Sequence, residues 1–405
     1  MKKLNIRDCE VQGKRVLARF DFNVPLDSNR NITDDTRIQA ALPTIKNIVE
    51  RGGRLIMMSH LGRPRGQRNP ELSLTPVANR LGELISNPLR FVDDCIGEEV
   101  REKVSAMKDG ELLLLENVRY YPEETDNDPG FARELATLGD IYVNDAFGTA
   151  HRAHASTAGV ADYFDIRAAG FLMEKELEAL GTVLQDPARP FVAVLGGAKI
   201  AGKIDLIQSL LEKVDVLLVG GGMMYTFFKA SGLEIGKSIC DDSFVPMCKE
   251  LMAKTKEGPS KLLLPVDTII AREIDDAAPT REASIADIPE DWIGVDIGPK
   301  TVALFKSQIA DAKTVFWNGP MGIFEKPNFA EGTKAIARAV GDGKARGANT
   351  IVGGGDSVAA INLMGIADRF SHISTGGGAS LEFLEGRQLP GVEALCDVAE
   401  ASLDA

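Results

Sequence analysis

Short apolar runs alternate with amphipathic stretches along the chain. In the first half the runs are Val16–Phe20, Leu55–Met58, Leu112–Leu115 and Ile141–Val143. Between them lie segments of helical spacing such as Thr36–Arg51, Thr75–Ile85 and Gly130–Leu138. Uninterrupted apolar runs joined by amphipathic crossovers predict buried parallel strands. The second half repeats the scheme with Phe191–Leu195, Val216–Val219, Lys261–Val266, Thr314–Trp317, Thr350–Val352 and His372–Ser374. The pattern predicts an α/β chain of two doubly wound, Rossmann-like parallel-sheet domains. In Gly170–Pro190, Leu172, Leu177, Leu180 and Leu184 recur at helical spacing until two prolines intervene near the end. This segment predicts a long interdomain helix that stops at Gln185–Pro190, with a cleft between the domains as the favoured ligand site. The expected boundaries are 1–170 for the first domain and 171–389, including that helix, for the second.

Polar residues fall where the first-half strands end. Val16–Phe20 runs into Asp21-Phe22-Asn23, and Leu55–Met58 into Ser59-His60-Leu61-Gly62-Arg63. Leu112–Leu115 runs into Glu116-Asn117-Val118-Arg119, and Ile141–Val143 into Asn144-Asp145, followed by His151-Arg152-Ala153-His154. Open parallel sheets bind ligands beyond the carboxyl ends of their strands. Arginines in three of these four loops, beside Asp, Asn and His, point to a small, highly anionic ligand that also carries hydroxyls. Helix capping by Asp21, Asn23 and Ser59, with solvated arginines, is the alternative. His151-x-x-His154 lacks a third soft ligand nearby and reads as hydrogen-bonded loop histidines.

The second half carries glycine clusters at Gly196-Gly197, Gly220–Gly222, Gly353–Gly355 and Gly376–Gly378, each after a predicted strand. Glycine there lets backbone approach a phosphate at the next helix start, which favours a nucleotide over mere tight turns. The familiar fingerprints fail. Gly197-x4-Gly202-Lys203 is followed by Ile204, where a P-loop needs a hydroxyl for Mg²⁺, and no GxGxxG is completed. Lys203 and the glycine turns could still hold phosphates. Asp356 then becomes the metal candidate, with a helix N-cap as its other reading.

Composition sharpens this in two ways. The net charge of −13 argues against a nucleic-acid or membrane-surface binder, yet 16 of the 24 arginines lie in the first 152 residues. Arginine grips carboxylates and phosphates, so a local anion site survives the acidic total. The five cysteines form no CxxC pair, and no apolar run approaches ~18 residues. Free thiols in a cytoplasmic setting, with no membrane span or export signal, are the expectation.

Eight motifs, in order, closely resemble the phosphoglycerate kinase family. They are RFDFNVP (Arg19–Pro25), SHLGRP (Ser59–Pro64), LENVR (Leu115–Arg119), NDAFGTAHRAHAS (Asn144–Ser156), GGAK (Gly196–Lys199), WNGPMGIFE (Trp317–Glu325), GGGDS (Gly353–Ser357) and STGGGASLE (Ser374–Glu382). The resemblance covers nearly the whole chain. It implies a glycolytic kinase, also used in gluconeogenesis, that transfers the acyl phosphate of 1,3-bisphosphoglycerate to ADP, giving 3-phosphoglycerate and ATP with Mg²⁺. It implies a monomer that bends about its hinge. In the first domain it implies glycerate binding by Asp21, Phe22, Asn23, His60, Leu61, Gly62 and Arg63, with Arg37, Arg119 and Arg152 as a basic patch. In the second it implies nucleotide binding by Lys203, Lys199, Gly353, Gly354, Gly355, Asp356 and Ser357, with Glu325 at the ribose and glycines around Gly197 and Gly220 at the base. Arg37, Lys203, Lys199, Gly376 and Gly377 are the implied catalytic groups, and Asp356 the metal ligand. It also implies that the chain end, Pro390–Ala405, packs back on the first domain. An NAD-dependent oxidoreductase and a non-catalytic two-lobed binding protein are the rival readings. The unfinished GxGxxG and the missing export signal count against them.

Overall fold

The structure is a computed structural model, and it describes residues 2–398. The chain forms two compact units. One comprises residues up to Glu178 and those from Gln388 onward; the other spans Ala179–Arg387. The division falls inside the helix Phe171–Gln185 rather than at its start. The cause is local. Asp145 accepts hydrogen bonds from the backbone N–H groups of Leu172 and Met173 at the helix start. Arg7 also pairs with Glu174, so the opening turns belong to the first unit.

The first unit is built on a six-stranded, all-parallel sheet. Its strands are β1 (Arg15–Phe20), β2 (Arg54–Met58), β3 (Leu89–Phe91), β4 (Leu112–Leu114), β5 (Ile141–Asp145) and β6 (Arg167–Ala169), in the order β3-β4-β2-β1-β5-β6. β3 (Leu-Arg-Phe) and β6 (Arg-Ala-Ala) are edge strands that each carry an arginine in place of an uninterrupted run of large apolar residues, so no such run announces them. The central strands are buried on both faces, as uninterrupted apolar runs require. The helix Thr36–Glu50 buries Ile38, Ala41, Ile45, Ile48 and Val49 against the sheet core. The chain end returns here: Gly391 N–H donates to the Ala150 carbonyl and Lys3 pairs with Asp397. Residues 399–405 of the expected tail lie outside the described residues.

The second unit holds a matching parallel sheet. After β7 (Phe191–Leu195), β8 (Val216–Val219) and β9 (Lys261–Leu263) come three further strands, β10 (Asp267–Ala271), β11 (Thr280–Ser284) and β12 (Ile293–Ile297). β13 (Thr314–Asn318), β14 (Asn349–Gly353) and β15 (His372–Ile373) complete the main sheet, ordered β15-β14-β13-β7-β8-β9. β10, β11 and β12 form a small antiparallel sheet beside the two expected parallel ones, an addition that the apolar runs do not announce. The expected strand Lys261–Val266 ends at Leu263, before Pro265, and the chain enters that second sheet at Asp267. β11 reads Thr-Arg-Glu-Ala-Ser and is largely exposed, so no hydrophobic alternation betrays it.

Candidate active site

In the first unit the post-strand loops meet at the carboxyl ends of β1, β2, β4 and β5. Arg37, in the first turn of its helix, donates to Asp21 Oδ1 at 3.1 Å and to the Asn23 carbonyl at 3.0 Å. Asn23 Oδ1 accepts from Gly62 N–H at 2.8 Å, and the Gly62 carbonyl accepts from Arg119 Nη1 at 3.1 Å. Gly62 thus ties three loops together. Its φ of +62° is left-handed, and a Cβ there would lie 2.7 Å from Leu72. Asp21, Asn23 and Ser59 cap no helix. Ser59 instead bridges Phe20 and Phe22 backbone groups.

Phe22 and Leu61 are core side chains, so only their backbone can face a ligand. Phe22 stacks on Phe20 with centroids 5.3 Å apart. Arg63 and Arg152 are exposed, and Arg152 donates to His151 Nε2. Arg119 is buried, and its Nε has no hydrogen-bond partner. Burial, then the charges of Arg19 and Arg152, bring it down to about 10. His60 is held well below the ordinary imidazole range by burial and then by Arg19, Arg119 and Arg37. His154 is pushed down to about 4, again first by burial. At neutral pH the positive charge of this face therefore comes from arginines.

The second unit contains a cavity of about 430 Å³. One wall is glycine backbone after β7 and β8, Gly197, Gly221 and Gly222; the other is β12, through Ile293–Asp296. Glu325 and Asp356 line it as well. Gly220 lies behind the wall, where a Cβ would meet Met321 Sδ at 2.6 Å. Lys203 precedes the helix Ile204–Leu211 and donates to the Gly196 and Asn318 carbonyls at 2.5 and 3.2 Å. Burial brings its ammonium down to about 8, with nearby Asp356 opposing. Lys199 is exposed.

β14 ends in Gly353, and the helix Gly355–Met364 starts two residues later. Gly354 caps it with φ +89° and would place a Cβ 2.7 Å from Asn318 Nδ2. Any larger residue is both strained and obstructed there. Asp356 sits in the first turn, exposed, and accepts no hydrogen bond among the described residues. Ser357 is buried and accepts from Gly319 N–H at 2.6 Å, which pins the β13 loop to this helix start. Gly376 is buried; Gly377 precedes the short helix Gly378–Leu384.

Sequence reasoning missed three features. Arg19, Ser156 and Glu124 form a wholly buried chain beneath the first face. Asp296 lies at the back of the cavity. Burial pushes it up to about 7 although it accepts backbone N–H bonds from Gly332 and Ile297. Asn318 has a buried Nδ2 without a partner beneath the Gly354 turn. Asn318 and Arg19 stood inside quoted motifs; nothing in the sequence marks Asp296 or Glu124. No group of three or more His, Cys, Asp or Glu side chains able to hold a metal occurs among the described residues. None of their helices is long and apolar enough to cross a membrane.

An arginine-rich face on one α/β unit, and on the other a glycine-walled cavity beside a lysine and a helix start, are features suited to a phosphotransferase. The family model described as phosphoglycerate kinase matches residues 6–387. Phosphoglycerate kinase of Chlorobium chlorochromatii is 58% identical over 395 residues, covering 98% of this chain and all of that protein. That of Chlorobaculum tepidum is 57% identical over 397 residues, with the same coverage. The solved phosphoglycerate kinase of Coxiella burnetii is 42% identical, with a TM-score of 0.87 over 97% of this chain and 98% of that one. The chain belongs to the phosphoglycerate kinase family.

Proposed function

We propose that the enzyme transfers the acyl phosphate of 1,3-bisphosphoglycerate to ADP, reversibly, giving 3-phosphoglycerate and ATP. The observation that carries the reading is the buried Arg119 guanidinium, with an unpaired Nε and two further arginines acting on it. Such a site wants a ligand of high negative charge. The glycerate lies on the first unit against Asp21, Asn23, His60, Arg63, Arg119 and Arg152. The nucleotide lies in the cavity of the second, with its phosphates toward Lys203 and Gly353–Asp356 and its ribose toward Glu325. The base lies between the Gly197 and Gly221–Gly222 walls and β12.

In the forward direction a β-phosphate oxygen of ADP attacks the phosphorus, and the bond to the carboxyl oxygen breaks. The leaving carboxylate is a stable anion, so no general base is needed; in reverse it is already a nucleophile. The protein's task is positioning and charge neutralisation. Arg37 and Lys203 face the charge on the transferring group, helped by backbone N–H groups at Gly376–Gly377, and Lys199 adds a mobile cation. Asp356 is a hard, unengaged carboxylate beside a helix start. That donor fits Mg²⁺ held mainly by substrate phosphates. Bound there, Mg²⁺ supplies neutralisation of the phosphate charge.

Each substrate contacts one unit, so transfer requires the units to close about the Phe171–Gln185 helix. A monomer in the cytoplasm completes the reading; five free thiols support the reducing compartment. A coupled assay of ADP formation from ATP and 3-phosphoglycerate tests it. Activity with 3-phosphoglycerate, and none without it, is expected. ATP turnover indifferent to 3-phosphoglycerate would overturn the reading.

A further inference from the structure

His60 stands in the first-unit face with one ring nitrogen committed. Arg19 Nη2 lies 3.0 Å from His60 Nδ1. A guanidinium only donates, so Nδ1 must be the acceptor and the single ring proton must sit on Nε2. The opposite tautomer, or an imidazolium, would set N–H against N–H. The described residues provide no hydrogen-bond partner for Nε2.

Arg19 is itself fully buried and aimed by two further bonds. Nη1 donates to the Phe20 carbonyl, and Nε donates to Ser156 Oγ at 2.8 Å. The Ser156 hydroxyl therefore turns its proton the other way, to Glu124 Oε1 at 2.7 Å, while Ser156 N–H reaches Glu124 Oε2 at 2.8 Å. Glu124 has no solvent exposure; burial raises its pKa, against the Arg19 charge and the two Ser156 bonds that favour the carboxylate. A buried charge needs a compensating one, and here the two are joined through a hydroxyl rather than directly. With Glu124 ionised, each bond in the chain has only one workable direction.

We infer that Glu124, Ser156 and Arg19 are positioning residues that hold His60 as the neutral Nε2–H tautomer, so that it offers one hydrogen-bond donor to the anionic substrate. This rests on the first unit being the phosphoglycerate site. It separates two tasks on that face. Arginines attract the anion, while His60 contributes direction without charge and keeps its proton throughout the reaction. Histidine serves here as a fixed donor whose tautomer is set from behind, as outer hydrogen bonds fix metal-bound histidines.

The test begins with the wild-type enzyme, ligand-free, labelled with ¹⁵N-histidine. The chain has four histidines. His60 is assigned by the peak lost in His60→Gln. At pH 7 its Nδ1 should give the shift of a bare nitrogen and its Nε2 that of a protonated one, unchanged down to pH 5.5. A proton on Nδ1, or an imidazolium, overturns the inference. In Ser156→Ala the His60 signals should move toward a mixture of tautomers. The KM for 3-phosphoglycerate should rise about tenfold while the KM for ATP stays within twofold. A purely structural role for Ser156 would move both constants or neither and leave the tautomer intact, which also overturns the inference. The wild-type spectrum decides even where Ser156→Ala does not fold. An Nε2–H tautomer that does not respond to 3-phosphoglycerate would instead overturn the site assignment on which the inference rests.

Discussion

Arg37 is anchored by the Asp21 carboxylate and the Asn23 carbonyl through the same nitrogen, Nη1. The pairing aims it without neutralising the arginine face as a whole. A donor directed at transition-state charge is typically worth about 10² in turnover. Arg37→Ala should therefore lower kcat by roughly 10²-fold or more. Nucleotide affinity should hold, because the cavity belongs to the other unit. A kcat within about twofold of wild type would remove Arg37 from the catalytic step. Lys203 permits a pH prediction. With its ammonium brought down to about 8 in the free protein, part of the population is neutral in mildly alkaline solution. Nucleotide phosphates favour the charged form, so binding raises its pKa. Affinity should then fall as pH rises through about 8, and binding near that pH should take up protons. Calorimetry in two buffers of different ionisation enthalpy measures the uptake; Lys203→Met should abolish it. Zero uptake in the wild type would contradict this account.

At the scale of elements, the proposed site residues stand at strand ends and helix starts. The helix Gly355–Met364 shows the division of labour. Gly354 provides its cap through backbone geometry, Ser357 fastens it to the β13 loop, and Asp356 is left unengaged. A first-turn carboxylate contributes only about 0.5 kcal/mol through the helix dipole. Asp356→Ala should therefore barely move the thermal midpoint, yet weaken Mg-nucleotide binding and leave 3-phosphoglycerate binding intact. Titration of each ligand beside a thermal melt checks this. A large stability loss with unchanged Mg-nucleotide affinity would make Asp356 structural. The polar residues after the first-unit strands divide in a similar way. Glu116 accepts from Ser73 and Leu74, and Asn117 holds the Leu61 and Leu72 carbonyls. Asp145 starts the Phe171–Gln185 helix. These three support loops and a helix start, whereas Asn23 and Arg119 meet at Gly62 and Asp21 holds Arg37. Their one-letter pattern was the same; only the direction of each side chain separates them.

For the whole molecule, the proposed reaction has one substrate binding to each unit. In-line transfer needs reacting atoms ~3–3.5 Å apart, and water must be excluded from an acyl phosphate that hydrolyses. Each ligand alone gains little from a closed form because it contacts mainly one unit. Small-angle scattering should show a smaller radius of gyration with both ligands than with either one. The same radius in the free, binary and ternary states would replace hinge closure with a preassembled site.

What the sequence determined by itself was whatever is encoded locally. Buried parallel strands need uninterrupted apolar runs, so β1, β2, β4, β5, β7, β8, β13 and β14 were legible. The glycine turns after β7, β8 and β14 and the arginines after the first-unit strands were legible as well. The tertiary structure decided what depends on partners distant in the chain. β11 pairs with β10 by backbone hydrogen bonds that ask almost nothing of its side chains. Asp296 is brought up to about 7 by burial against Gly322 and Gly332, where a Cβ would lie 2.4 and 2.3 Å from its Oδ1. Glu124 reaches Arg19 only through Ser156. Such a chain has no period and no spacing, because its geometry exists only once the sheet has brought its members together.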